Sequence, residues 1–249
     1  MTAIQQTVDG LRSLRLTAMA EAYQRQLENP EMRSFSFDER LALLVENELA
    51  QRTSRKLKRL VASAKMPEMA TLEEVEFGTA RGLDKALVMS LGQCDFIRRN
   101  LNVIIVGPTG VGKSYVACAL GTEACRQRLV VSFRNVNDLL EEISSAEADG
   151  STSRLKLALS KPDLLILDDL GVGTISEHAA QILLSVIDRR MRKSSLIITS
   201  QWPTEAWHGF FPNPTIADAI LDRVVHASHK IAMGGESMRK KQAKKRLGK

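Results

Sequence analysis

Apolar residues recur at three- and four-residue steps through the first part of the chain, which is the spacing of an amphipathic helix. Ser36 is followed three residues later by Glu39, a capping-box pattern that predicts the start of the longest helix, and Pro67 predicts its end. We therefore expect residues 1 to about 65 to be helical. The apolar positions that set this pattern are Leu41, Leu44, Val45, Leu49, Leu57, Leu60 and Val61.

From about residue 100 the pattern changes to short apolar runs, each followed by a turn and a stretch of helical spacing. Runs that are apolar on both faces suit the buried strands of a parallel sheet, and their alternation with helices predicts an α/β fold. We place a domain boundary near residue 70, which gives a small all-helical domain over 1–70 and an α/β domain over 71–249. The predicted strands are 102–106, 130–133, 164–167 and 196–199, and the predicted helices are 113–127, 136–145 and 176–191.

The composition argues against membrane and disulfide-bonded classes of protein. No stretch approaches the roughly 18 consecutive apolar residues of a membrane-spanning helix, and the N-terminus lacks the basic start and apolar run of a secretory signal. Cys94, Cys118 and Cys125 are odd in number and lack C-x-x-C spacing, which favours reduced structural thiols. We therefore expect a soluble, cytoplasmic protein.

A phosphate-binding loop (P-loop) lies between the first predicted strand and the helix that follows it. Its sequence matches G-x-x-x-x-G-K-[ST] at every fixed position, in the strand–loop–helix context that the motif requires. Glycines let backbone N–H groups surround phosphate oxygens, the lysine reaches the β and γ phosphates, and the serine is a Mg²⁺ ligand. A glycine-rich turn without a ligand is the alternative. The residues predicted to hold ATP are Gly107, Pro108, Thr109, Gly110, Val111, Gly112, Lys113 and Ser114, with Tyr115 directly after them.

Two adjacent carboxylates, Asp168 and Asp169, end a later apolar strand. A carboxylate at this position can hold the Mg²⁺ that bridges the β and γ phosphates, and we assign Asp168 to that role beside Ser114. Asp169 is then placed to orient or deprotonate the attacking water. The alternative is a solvated strand end. The position of the pair, downstream of a P-loop, favours catalysis of ATP hydrolysis.

Two basic clusters raise the question of an anionic partner. The formal net charge is +6, and five of the eight residues in 52–59 and seven of the eleven in 239–249 are basic. Each cluster alone could be a solvated helix face or a soluble tail. Two such clusters on either side of an ATP-binding motif favour duplex DNA, contacted largely through its phosphates.

Four further segments resemble one protein family. They are the run Leu164–Gly171 (LLILDDLG), the strand Leu196–Gln201 (LIITSQ), the phrase Ile216–Arg223 (IADAILDR) and the ending Gly235–Arg239 (GESMR). Together they resemble the IstB transposition helper ATPases, which are P-loop proteins of the AAA+ class related to the DnaC helicase loaders. The resemblance also takes in the helical N-terminal region and Arg81–Asp84. It implies an AAA+ ATPase domain with a parallel sheet flanked by helices.

The resemblance implies roles for several more residues. Ser200 or Gln201 falls at the sensor-1 position, the polar residue at the tip of the strand between the two Walker strands, where many relatives have asparagine. Arg223 matches the arginine finger that reaches the ATP of a neighbouring subunit, and Arg239 resembles a sensor-2 arginine. The family likeness also implies a homo-oligomer assembled with ATP and a partner transposase.

Three alternatives stay open at this point. Arg223 could pair with Asp218 or Asp222 on a helix surface, an interaction worth roughly 0.3 to 0.5 kcal/mol. The chain could be a helicase loader of the DnaC type, which would use the same ATPase on a replicative helicase. It could also be a structural DNA-bridging protein in which nucleotide only locks an assembly.

Overall fold

The computed structural model describes residues 2–78, 81–238 and 240. The chain divides into two units, Met1–Arg59 and Leu60–Lys249, whereas the sequence predicts a boundary near residue 70. Arg239 and the greater part of the basic run 239–249 lie outside the described residues.

The first unit is helical, as the apolar spacing predicts. Its helices begin with α1 (Ala3–Ser13) and α2 (Thr17–Glu28), followed by a short 3-10 helix over Pro30–Ser34 and by α3 (Phe37–Ala64), which continues past residue 59. The buried apolar side chains of this unit include the small residues Ala18 and Ala20 on α2 and the larger Val8 on α1.

The capping box that opens α3 is confirmed. The Ser36 backbone N–H donates to the Glu39 carboxylate at 2.7 Å, and the Glu39 N–H donates to the Ser36 hydroxyl oxygen at 3.3 Å. Two N–H groups that the first helical turn leaves without partners are thereby satisfied. At the other end Lys65 adopts a left-handed conformation with φ +56°, so α3 ends at Ala64, three residues before Pro67.

The second unit alternates strands and helices around one sheet. A 3-10 helix over Leu72–Glu74 leads into it, and another spans Thr204–Phe210. The strands are β1 (Asn102–Val106), β2 (Val131–Asn135), β3 (Leu164–Leu170), β4 (Ser195–Ser200) and β5 (Ser228–Ala232). The helices are α4 (Lys85–Gly92), α5 (Asp95–Arg98), α6 (Lys113–Arg126), α7 (Val136–Ala148), α8 (Thr152–Ser160), α9 (Glu177–Arg190) and α10 (Pro214–Val225).

All five strands are parallel, in the order β2-β3-β4-β1-β5. The α/β class and the four predicted strands are therefore confirmed. The fifth strand, β5, pairs with β1 along the edge of the sheet and was not predicted from the sequence. Only Ile231 of its five residues is buried, so β5 lacks the two-faced apolar run that identifies the other strands.

The two faces of the sheet pack against different helices. Leu165 and Leu167 of β3 belong to a core cluster built with α7, α8, α9 and α10. The intervening Ile166 lies against Gly121 of α6, where an added Cβ would be 3.0 Å from its side chain. Successive strand residues point to opposite faces, so this alternation accounts for the helices on both sides. None of the described helices has the length and apolar character needed to cross a bilayer.

Candidate nucleotide-binding site

The P-loop connects β1 to α6 at the carboxyl edge of the sheet. Gly110 and Gly112 have φ values of +84° and +97°, a region that residues with a Cβ rarely adopt. Gly112 is the N-cap of α6, and no described side chain caps that helix. The first backbone N–H groups of α6 therefore have no side-chain acceptor, which suits an anion at the positive end of the helix dipole.

Lys113 is the first residue of α6 and is 5% exposed. Its Nζ donates to the carbonyl oxygen of Pro108 at 3.1 Å, so the ammonium group lies over the loop that it follows. A buried ammonium needs a negative partner or several acceptors, and the phosphates of a nucleotide supply both. The lysine therefore fits the phosphate-binding role expected from the motif.

Asp168 lies at the end of the apolar part of β3 and is also 5% exposed. The Thr199 hydroxyl donates to its Oδ1 at 2.6 Å. Burial raises the pKa of Asp168, while hydrogen bonds from Thr199 and then Ser114 oppose that rise. The structure thus brings together Ser114 and Asp168, the two residues predicted to hold Mg²⁺.

This pair of oxygen donors fits Mg²⁺, which prefers hard oxygen ligands and keeps several of its waters beside nucleotide phosphates. No group of three or more His, Cys, Asp or Glu side chains suited to a metal occurs among residues 2–78, 81–238 and 240. Ser114 and Asp168 are therefore the residues that would hold a Mg²⁺ ion at this site, together with phosphate oxygens and water.

Asp169 adopts an unusual backbone conformation. Its φ is +62°, and the register between β3 and β4 shifts between Leu167 and Leu170. A β-bulge of this kind turns a side chain away from the position that a regular strand would give it. The side chains of Asp168 and Asp169 therefore do not alternate between the two faces of the sheet as neighbours in a regular strand do.

Thr199 of β4 is hydrogen-bonded to both aspartate residues and was not among the predicted site residues. Besides donating to Asp168, its hydroxyl oxygen accepts the backbone N–H of Asp169 at 3.0 Å. The side chain is wholly buried between the strands. One signal could have identified it: a polar residue that follows three apolar ones at the end of a buried strand, one strand away from an acidic pair.

The two sensor-1 candidates take different positions. Ser200 is wholly buried, and its hydroxyl donates to the carbonyl of Leu170 at 2.7 Å while accepting the N–H of Trp202. The Gln201 side chain instead accepts a 2.7 Å hydrogen bond from the Thr109 hydroxyl of the P-loop. Gln201 is therefore the one whose side chain contacts the phosphate-binding segment, and the Ser200 side chain joins β4 to the end of β3.

Tyr115 points its hydroxyl at the Leu72–Glu74 helix. That hydroxyl donates to the Glu74 carboxylate at 2.8 Å, and burial followed by this hydrogen bond raises the pKa of Tyr115 to about 12. The Tyr115 phenol therefore stays neutral and hydrogen-bonded to Glu74. Any part that Tyr115 has in holding nucleotide then rests on its backbone N–H near the start of α6.

Arg223 lies on α10 and forms an ion pair with Asp188 of α9. It also donates to the carbonyl of Ala219 at 2.7 Å. The expected surface partners were Asp218 and Asp222, but those carboxylates lie near His208 and His226. The side chain of Arg223 is 29% exposed and that of Asp188 is 46% exposed, so solvent reaches this pair. Arg239, the sensor-2 candidate, lies outside the described residues.

The basic stretch 52–59 belongs to α3, and two of its arginines have hydrogen-bond partners within the first unit. Arg52 donates to the buried Glu48 carboxylate at 2.8 Å, and Arg55 donates to the Thr17 hydroxyl at 3.1 Å. These two arginines help hold the first unit together. Every basic side chain in the stretch is nevertheless exposed, including Lys56, Lys58 and Arg59.

Comparison with known proteins agrees with this arrangement. The sequence model of the IstB-like ATP binding protein family matches residues 10–246. An insertion sequence ATP-binding protein of Sinorhizobium fredii, y4pL, is 44% identical over 239 residues, which cover 96% of this chain and 98% of that protein. The match therefore extends over both units.

Solved structures share the fold at low sequence identity. The structure of DnaI superposes with a TM-score of 0.59 at 17% identity, covering 71% of this chain and 93% of DnaI. The DnaC helicase loader superposes with a TM-score of 0.56 at 16% identity, covering 66% of this chain and 96% of the loader. These similarities support an AAA+ fold and extend no further than the fold.

Proposed function

The chain belongs to the family of IstB-like ATP-binding proteins, and we propose that it is an ATPase that assembles on duplex DNA and assists a partner transposase. The observation that carries the ATPase part is the convergence of Lys113, Asp168 and Asp169 at one edge of the sheet, with Thr199 bonded to both aspartates. The relatives named as insertion sequence ATP-binding proteins support the transposition part.

In the proposed reaction the backbone N–H groups of the P-loop and Lys113 bind the phosphates of ATP. Ser114 and Asp168 would hold Mg²⁺, which would supply positive charge to neutralise the charge that develops on the phosphates. Asp169 orients the attacking water and accepts its proton, which is general-base catalysis. Gln201, already bonded to Thr109, supplies a polar contact beside the same phosphates.

Hydrolysis in this proposal requires assembly, because Arg223 serves the site of a neighbouring subunit. Its place on α10, with its pairing to Asp188 open to solvent, supports a side chain that can exchange one carboxylate partner for a phosphate. Arg239 would contact the nucleotide of its own subunit. The residue before it, Met238, supports this role because its N–H donates to the carbonyl of Gly110 in the P-loop at 2.8 Å.

The proposed DNA contact uses the exposed basic residues of 52–59 together with the run 239–249. Phosphate contacts of this kind bind duplex DNA with little sequence preference, so target choice would belong to the transposase. We also propose a cytoplasmic location, because ATP and the DNA of a mobile element are both cytoplasmic.

Transposase assistance and helicase loading can be separated by experiment. The likeness to the DnaC loader is one of fold, while the relatives matched over almost the whole chain carry insertion-sequence names. The test measures Mg²⁺-dependent ATP turnover with and without duplex DNA, then strand transfer by the transposase of the same element. We expect DNA to stimulate repeated turnovers and ATP to increase strand transfer.

Three outcomes would contradict parts of the proposal. Hydrolysis limited to a single turnover would favour the structural DNA-bridging alternative. Strand transfer unaffected by this protein, together with delivery of a replicative helicase onto DNA, would favour the loader. Absence of nucleotide binding by the intact chain would remove the ATPase assignment itself.

A further inference from the structure

The carbonyl groups of the P-loop need hydrogen-bond donors, and the motif itself does not specify which residues provide them. Backbone N–H groups bind phosphate only if they point into the loop, and the carbonyls must then point outward and find donors there. The segment after β5, far from the loop in sequence, supplies one such donor: Met238 N donates to the carbonyl of Gly110 at 2.8 Å. The same segment is held beside the start of the loop by Met233 N, which donates at 2.7 Å to the carbonyl of Val106, the last residue of β1.

The donor to the Val111 carbonyl is a side chain. Arg81 Nη2 donates to that oxygen from outside the loop. Every described peptide bond is trans, so the carbonyl of Val111 and the N–H of Gly112 point in opposite directions from one peptide plane. With its carbonyl held by Arg81, this peptide must direct the Gly112 N–H away from the arginine and toward the concave side of the loop.

Arg81 is itself held in place by its own contacts. Its Nη1 donates to the carbonyl of Glu76 at 2.8 Å, and its backbone carbonyl accepts the N–H of Gly234 at 2.9 Å. A Cβ at position 112 would lie 2.8 Å from Arg81 Nη2. Glycine is thus required at 112 for its φ of +97° and for the close approach of the guanidinium.

We infer that Arg81 is a positioning residue for nucleotide binding, which fixes the Val111–Gly112 peptide so that its N–H faces the phosphates. This inference rests on the proposed ATP site. The ligands concerned are nucleoside di- and triphosphates, because the loop holds phosphates common to both. Arg81 acts through the loop backbone, so its loss weakens binding of ATP and ADP by a similar factor.

The experiment compares the full-length protein with Arg81→Met, Arg81→Lys and Arg98→Met. Arg98 is the matched control, since its guanidinium also donates to a backbone carbonyl, that of Gln93 at 3.1 Å, away from the P-loop. Dissociation constants and binding stoichiometry are measured with fluorescent methylanthraniloyl derivatives of ATP and ADP. Thermal unfolding and the KM and kcat of hydrolysis are recorded for each variant.

We expect Arg81→Met to weaken binding of both nucleotides at least tenfold with full stoichiometry, raising KM while leaving kcat within about twofold. Loss of one hydrogen bond from a charged donor is of that order, with about 1.4 kcal/mol per factor of ten. Arg81→Lys keeps the charge and places its N–H donors on one nitrogen atom instead of three, so it should recover part of the affinity. Arg98→Met should bind nucleotide as the wild type does.

Two results would overturn the inference. One is an unchanged dissociation constant in Arg81→Met, whether at full stoichiometry or with a smaller binding-competent fraction, because the arginine would then serve folding alone. The other is an equal loss of affinity in Arg98→Met. If the wild type binds neither nucleotide, the proposed function fails instead, so the two failures are distinguishable.

Discussion

Charged side chains are arranged differently at the carboxyl edge of the sheet, where the P-loop lies, and along the basic stretch 52–59 of α3. At the sheet edge Lys113 and Asp168 are almost wholly buried, and the carboxylate is hydrogen-bonded to the buried Thr199. Along 52–59 the charged side chains are exposed, and those that have partners, such as Arg52, mainly hold the first unit together. The effect of a buried charge depends on the placement of its few partners, whereas exposed charges contribute mainly through their combined electrostatic attraction for an anion.

This difference separates two kinds of expected mutational effect. A substitution at the sheet edge should change activity steeply, because each buried group depends on a small number of partners. A substitution on α3 should change DNA affinity gradually and in proportion to the charge removed. Variants of both regions can therefore test the contrast, and the largest effect is expected at the P-loop lysine.

Lys113→Ala should abolish ATP hydrolysis and severely weaken ATP binding, because the P-loop loses the ammonium group that lies over it. Lys161→Ala removes an equal charge from an exposed site at the end of α8 and should behave as the wild type. Steady-state hydrolysis and fluorescent-nucleotide binding measure both. Near-normal turnover in Lys113→Ala would contradict the site assignment.

Arg223→Ala should bind ATP nearly normally and hydrolyse it about 10³-fold more slowly, the lower end of arginine-finger effects. Asp188→Asn is the matched control, since it breaks the same ion pair while keeping the arginine. If Arg223 only stabilises the helix surface, the two variants should show the same small loss of stability and the same turnover.

A mixture of two inactive proteins tests whether Arg223 acts between subunits. Arg223→Ala retains the P-loop and Lys113→Ala retains the finger, so mixed assemblies should recover part of the activity at shared interfaces. Co-assembly is verified separately by cross-linking. If the two proteins co-assemble but no turnover is recovered, Arg223 acts only as an ion-pair residue.

Asp169→Asn should keep ATP binding and slow hydrolysis by about 10²-fold, because the amide stays polar and cannot accept a proton. Asparagine also tolerates the left-handed conformation, with φ of +62°, that this position requires, so backbone strain is not a competing explanation. The variant should trap the ATP-bound assembly on DNA. Normal rates of DNA association and release would argue against the general-base role.

Thr199→Val should weaken Mg²⁺-dependent activity by about tenfold, the lower end of losses seen when a residue supporting a metal ligand is removed. Valine matches the shape of threonine but cannot donate to Asp168. Burial already raises the pKa of Asp168 and the Thr199 hydrogen bond opposes that rise, so its loss raises the pKa further.

The sign of the pH effect follows from that shift. Mg²⁺ binds the ionised carboxylate, so a higher pKa moves the acid limb of the pH–rate profile of Thr199→Val to higher pH. Thr199→Ser keeps the hydroxyl and should retain the wild-type profile. An identical acid limb in all three proteins would show that Thr199 does not influence Asp168 during turnover.

Replacing Lys56, Lys58 and Arg59 with glutamine should give the smallest change, a gradual decrease in DNA affinity. The log–log slope of affinity against salt should flatten by about 0.9 for each DNA phosphate that the variant no longer neutralises. A control set on α8 and its end removes the same charge and should leave the slope unchanged: Arg154, Lys156 and Lys161. Deleting residues 240–249 should also flatten the slope if the tail binds phosphates.

Much of the fold was predictable from local pattern. Apolar runs identify the four strands from β1 to β4, and the Ser36–Glu39 pair locates the start of α3, because these features depend on residues close together in the chain. The edge strand β5 was not predictable in this way. Its pairing with β1 is a long-range contact, and Ser228–Ala232 carries too few apolar residues to reveal it.

The chemistry of the candidate nucleotide site was predictable from the sequence: a P-loop with Lys113 and Ser114, followed by the pair Asp168 and Asp169. Those motifs are contiguous, and their residue types suffice to predict phosphate and Mg²⁺ binding. Which side chains support these residues depends on contacts between strands and loops that are distant in sequence. Thr199 reaches Asp168 because β4 lies beside β3, and Arg81 reaches Val111 because the chain before β1 folds back onto the loop. Such interactions join residues about 30 positions apart, and sequence spacing carries no record of them.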